Sequence, residues 1–136
     1  MRFMMIFHMP EDSWIDKEKV RRVVSWKKKW RDAGVWEQGS PLKPAGMSHT
    51  LTRSANGTVD VKDCSYGADR QVFFAFEILN CDSHEQAIEI AGTHPGLCFP
   101  ESVLEIREIW DELDPEFMGD EMDRVDPDYH LKSPAV

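Results

Sequence analysis

The sequence predicts an α+β domain, an antiparallel sheet with two helices packed on one of its faces. Three observations predict it. Gln71 to Leu79 reads Gln-Val-Phe-Phe-Ala-Phe-Glu-Ile-Leu, an apolar run suited to a central strand covered on both sides. Lys17 to Ala33 repeats its apolar residues at helical spacing. The elements then follow in the order strand, long helix, strand and hairpin, strand, short helix, strand. A half-exposed strand would alternate with polar residues, so the Gln71–Leu79 run needs cover on two faces. One layer of helices supplies one cover, and a second copy of the chain is expected to supply the other.

The first strand is Phe3 to Phe7, again apolar on both faces, and it is expected to pair with Gln71 to Leu79. After a turn at Met9-Pro10-Glu11-Asp12, Asp16 caps a helix whose Val20, Val23, Val24, Lys27 and Trp30 share one side. Gly34 ends it, and Val35-Trp36 begins the second strand, which Pro41 and Pro44 confine to an edge or a bulge. Met47 to Thr52 and Thr58 to Lys62 flank Asn56-Gly57, a tight-turn dipeptide, and are expected to form a hairpin. Asp63 to Arg70 reads as a loop, and Ser83 with Gln86 opens a second helix that ends before His94-Pro95. Ser102 to Trp110 is the last strand. This order is a split β-α-β arrangement of the ferredoxin-like kind with an inserted hairpin.

At 136 residues the chain suits one domain, residues 1–110, followed by an acidic extension, residues 111–136. The extension carries nine acids and two bases of a chain whose net charge is −9, so the body is nearly neutral. Lys27-Lys28-Lys29 with Arg21, Arg22 and Arg31 is the one basic cluster, and acids share its helix, so it reads as a solvated face. No nucleic-acid partner is expected. The apolar start, Met1 to Phe7, is broken by His8, Pro10, Glu11 and Asp12, too early for a leader or a span. A cytoplasmic protein without membrane contact is expected. Cys64, Cys81 and Cys98 lack disulfide or zinc spacing and read as reduced thiols.

The residues also carry a family resemblance. The start Met-Arg-Phe-Met-Met-Ile-Phe, Ala33-Gly34-Val35, Gly39 with Leu42 and Pro44, and the strand entering Asp63 resemble the YCII-related family in its longer form, named for an Asp-Gly-Pro-Phe motif. Phe76, Ile78, Ala87, His94-Pro95 and Leu104-Glu105-Ile106-Arg107 with Trp110 continue the match over roughly residues 1 to 122. The resemblance implies a dimeric α/β barrel. Asp63-Cys64-Ser65-Tyr66 stands where the motif would be, keeping its acid and its ring, and Arg70 keeps a later cation. Ser40 and Pro41 depart from an acid and a glycine of the pattern. The His–Asp dyad proposed for some short members cannot be carried over, because no His lies between His8 and His49.

Two function classes fit these residues. One is a cofactor-independent small-molecule enzyme that moves a proton in an isomerase- or lyase-type step, in a cleft between sheet and helices. The other is a non-catalytic homodimer that binds a small molecule or a protein. As catalytic candidates the sequence ranks Asp63 first, for its place at a strand-to-loop junction. Glu77 is second: a carboxylate between Phe76 and Ile78 needs a partner, for which Arg107 offers itself, and the commoner role is a structural ion pair. His94 is third, and its commoner role is to cap the last turn of the preceding helix. Tyr66, Arg70 and His8 are the substrate-binding candidates. No metal site, cofactor, phosphate loop or nucleophile elbow is legible.

Overall fold

A computed structural model describes residues 1–13, 15–63 and 71–110 of the chain. The expectations for Tyr66, Arg70, Cys64 and the acidic extension lie outside the described residues.

Among the described residues six strands and two helices form an α+β fold. β1 (Arg2–Pro10) leads into α1 (Lys17–Asp32), and β2 (Trp36–Pro41) is followed by a 3-10 turn at Ala45–Met47. The hairpin β3 (Thr50–Arg53) and β4 (Val59–Lys62) comes next, then β5 (Gln71–Asn80), α2 (His84–Ala91), a 3-10 turn at Pro95–Cys98 and β6 (Val103–Glu108). The main sheet has the order β2-β5-β1-β6 with every neighbouring pair antiparallel. With the hairpin set apart as its own two-stranded sheet, that order is compatible with a ferredoxin-like arrangement.

Local chemistry sets the element ends. Asp16 accepts from the Lys19 backbone N–H at 2.9 Å and so satisfies one of the free donors at the start of α1. At its other end the Gly34 N–H donates to Arg31 O and the Val35 N–H to Trp30 O, a Schellman closure with Gly34 at φ 76°. Ser83 caps α2 by accepting from the Gln86 N–H at 3.1 Å. The Gln86 side chain returns to the Asp82 N–H, one residue earlier than a capping box predicts. In the hairpin, the Gly57 N–H donates to Ser54 O, so Asn56 is inside the turn and Gly57 closes it with φ 87°. The first of its strands starts at Thr50 rather than at Met47, because Ala45–Met47 is helical.

The strand alternation divides the sheet into two faces. Phe3, Met5 and Phe7 of β1 and Leu79 of β5 pack with Trp26 of α1 and with Ala87, Ile90 and Ala91 of α2. Ile106 and Leu104 extend this face, since they pair with Met5 and Phe7. The other face carries Met4, Ile6, Phe76 and Ile78, with Ile6 paired to Phe76 and Met4 to Ile78. Neither described helix covers that apolar stripe, because both contribute to the core on the opposite side.

Candidate functional site

Glu77 lies at the middle of β5, on the helix-facing side, and is 2% exposed. An ionised carboxylate at such depth is costly unless it is paired and hydrogen-bonded. Both of its oxygens face donors. Trp36, two pairs along β2, donates its indole N–H to Oε2 at 2.5 Å. Lys27 of α1 brings Nζ to 3.3 Å from Oε1. The same ammonium stands 5.7 Å from the centroid of the Trp36 ring, so the indole favours both members of the ion pair.

His94 completes the group from the opposite side. It precedes the 3-10 turn at Pro95–Cys98, and the Gly96 N–H donates to its Nδ1 at 2.8 Å. A ring nitrogen that accepts a hydrogen bond carries no proton, so the ring proton is on Nε2. Nε2 is buried, lacks a hydrogen-bond partner, and lies 3.8 Å from Glu77 Oε1, beyond direct bonding distance. The imidazole packs against both Phe7 and Trp26, at centroid separations of 4.4 and 4.5 Å. The sequence predicts a His that caps the carbonyls of α2. Its backbone N–H does so, donating to Ala91 O at 3.0 Å, while its side chain accepts a backbone N–H of the following turn.

These polar groups are part of the lining of a cavity of about 160 Å3 between the sheet and α1. Phe7, Met9, Phe74 and Ala75 line it from the sheet, Val20, Val23 and Val24 from α1, and Phe99 from the segment before β6. A β-bulge shapes the sheet side. Phe7 pairs with Ala75 and His8 with Phe73, which leaves Phe74 without a partner residue on β1. The lining is apolar except near Lys27, Glu77 and His94. An apolar pocket with a few convergent polar groups is the usual form of a small-molecule site.

The structure thus brings Glu77 and His94 together and leaves Asp63 and His8 elsewhere. Asp63 has a side chain that is 85% exposed, and its Oδ1 is 2.8 Å from His49 Nδ1 at the base of the hairpin. It does not line the cavity. His8 lies inside β1 rather than at its end, with Nε2 3.4 Å from Glu105 Oε1 and its ring near Phe73, on the face opposite the helices. Arg107 is not the partner of Glu77. It pairs with Met4 on that same opposite face, and its Nε is 3.9 Å from Glu105 Oε2. His84 is exposed and meets Glu108 at 2.9 Å.

Two contributors were not singled out by the sequence. Lys27 reads there both on the helix side shared by Val20, Val23, Val24 and Trp30 and as part of a solvated basic cluster; its side chain is 17% exposed, while Lys28 points outward to Asp32. The available signal was its place at i+3 and i+4 from Val24 and Val23, inside the apolar stripe. Trp36 reads only as the start of a strand, and its role depends on register across β2 and β5. Among the described residues no cluster of three His, Cys, Asp or Glu side chains is arranged to hold a metal ion. Among the same residues no helix is long and apolar enough to cross a membrane. No protein-family model matches the chain, and no curated protein matches it.

Proposed function

We propose that the protein is a cofactor-independent enzyme of the YCII-related kind that moves a proton within a small molecule bound between the sheet and α1. The observation that supports this reading is the presentation of Glu77. Its Oε2 is held by Trp36 and its Oε1 is paired with Lys27, and the residue lines an apolar cavity. A carboxylate oxygen kept from bulk water and positioned by neighbours is suited to general base catalysis. In an isomerase-type step Oε1 takes a proton from a carbon beside a carbonyl, the bonding pair moves towards the carbonyl oxygen, and the proton returns to a different carbon. In a lyase-type step the pair instead expels a group from the neighbouring carbon. Neither needs an oxidant or a reductant.

Asp63, the first candidate on sequence position, takes no part in this reading, since its partner is His49 and its surroundings are solvent. Two protomers meet sheet to sheet in the proposed assembly, as in dimeric α/β barrels, with Met4, Ile6, Phe76 and Ile78 at the joint. The working compartment is the cytoplasm, where its thiols stay reduced.

Deuterium exchange tests the catalytic step without knowledge of the physiological substrate. The protein is incubated in D2O with a panel of small ketones, lactones and enones, and exchange beside the carbonyl is followed by NMR. Exchange by the wild type, reduced at least about 100-fold by Glu77→Gln, is expected. Binding of panel members without exchange would replace this reading with that of a non-catalytic binding dimer.

A further inference from the structure

From the buried donor at His94 and the size of the cavity, we infer that the site takes an uncharged, single-ring molecule whose one oxygen accepts a hydrogen bond from His94 Nε2. The inference deepens the proposed function and rests on its reading of the cavity as a ligand site. Three properties of the pocket specify this class.

Size is the first. A cavity of about 160 Å3 compares with the roughly 150 Å3 that holds a benzene ring, so its volume matches one six-membered ring and is small for a fused pair.

Polarity is the second. Apart from Lys27, Glu77 and His94 the walls are apolar, so the body of the ligand is hydrocarbon. Lys27 and Glu77 neutralise each other at 3.3 Å, which leaves no net charge to balance a carboxylate or an ammonium on the ligand.

The donor is the third. His94 Nδ1 is committed to the Gly96 N–H, so Nε2 holds a proton, and that proton has no acceptor although the side chain is only 4% exposed. A buried donor without a partner is costly, and a ligand oxygen would remove that cost. The 3.8 Å gap between Nε2 and Glu77 Oε1 puts such an oxygen beside the carboxylate. Contacts with Phe7 and Trp26 and the Gly96 N–H bond hold the imidazole, so the donor direction is set before the ligand arrives.

A ligand series on the wild-type protein tests this without relying on a variant that folds. Cyclohexanone, methylenecyclohexane, cyclohexanecarboxylate and 2-decalone are titrated by NMR into protein labelled with 15N-histidine. Cyclohexanone is expected to bind at least about tenfold more tightly than methylenecyclohexane, which has the same shape without the oxygen. It is also expected to shift the His94 Nε2 resonance selectively. The carboxylate and the two-ring ketone should each bind at least about tenfold more weakly than cyclohexanone. Equal binding of cyclohexanone and methylenecyclohexane, preference for the carboxylate, or binding of 2-decalone as tightly as cyclohexanone would overturn the inference, as would no binding at all. Cyclohexanone that binds as expected but does not exchange its protons overturns only the catalytic reading. Exchange on acyclic ketones with no binding of cyclohexanone overturns only the ligand class.

Discussion

Gly39 pairs directly with Glu77 across β2 and β5, and the space that a side chain would occupy at Gly39 is filled by the Glu77 carboxylate. A Cβ there would overlap Oε2 and lie 2.5 Å from the Phe76 carbonyl oxygen. The second of these atoms is backbone, so the side chain cannot simply swing aside. Gly39→Ala is therefore expected to cost about 2–3 kcal/mol in denaturant unfolding, as overpacking does in a close-packed core. A loss below about 0.5 kcal/mol would show that the strands separate there without penalty.

The Lys27–Glu77 pair should be asymmetric. Lys27→Met leaves a carboxylate that is 2% exposed without its cation, whereas Glu77→Gln leaves a lysine that still reaches water and keeps an acceptor for Trp36. Lys27→Met is expected to cost about 3 kcal/mol and Glu77→Gln about 1–2 kcal/mol. The double variant should lose at least about 1 kcal/mol less than the sum, because its second change removes a charge already unpaired. Additive losses in the four-protein cycle would mean that the two side chains do not interact.

What the sequence reveals of this fold follows the range of each signal. Asp16, Gly34, Ser83 and Gly57 act within four residues, so both helices and the turn could be read from local spacing. The β1–β5 pairing was also legible, because two strands apolar on both faces belong at the centre of a sheet. The need of Glu77 for a partner was legible, but the identity of that partner was not. Arg107 and Lys27 are both cations, and only the register of β6 and the roll of α1 send one outward and the other to the carboxylate. Asp63 looked accessible, and it is, but accessibility to solvent is not enclosure. The short helical turn at Ala45–Met47 was hidden by a segment that reads equally well as strand.

The thiols should differ in reactivity. Burial pushes the Cys81 thiol above its usual range, opposed by the nearby N-terminal ammonium and assisted by Asp82, while Cys98 is exposed. Iodoacetamide followed by peptide mass mapping should label Cys98 at least about tenfold faster than Cys81 in the native protein. The raised value also has a sign for stability. Between the ordinary thiol value and the raised one, the unfolded chain releases a proton that the folded chain keeps, so stability falls as pH rises through that interval. Cys81→Ala should flatten that alkaline decline. An unchanged slope would assign the decline to other groups.

The apolar face of the sheet sets the last expectation. Met4, Ile6, Phe76 and Ile78 form one stripe on the side away from the helices, and Phe73, 40% exposed, extends it. Four strands spaced about 4.8 Å apart, each with roughly six residues rising about 3.3 Å, give a flat footprint near 400 Å2. A stable interface commonly covers about 800 Å2 on each partner, so the sheet alone falls short and further apolar surface must join it. The hairpin offers such surface. Leu51, Val59 and Val61 share one of its faces and are 61%, 43% and 58% exposed, although a two-stranded ribbon is barely stable by itself. In the proposed dimer Phe76→Glu would put two charges into the joint and should give monomers by light scattering at micromolar concentration. Leu51→Ser with Val61→Ser should weaken the dimer about tenfold or more, since two large side chains lose their burial. Ile88→Lys, on the exposed side of α2, should leave it intact. A wild-type monomer at micromolar concentration would remove the sheet-to-sheet assembly, and a Phe76→Glu dimer would move the joint to another surface.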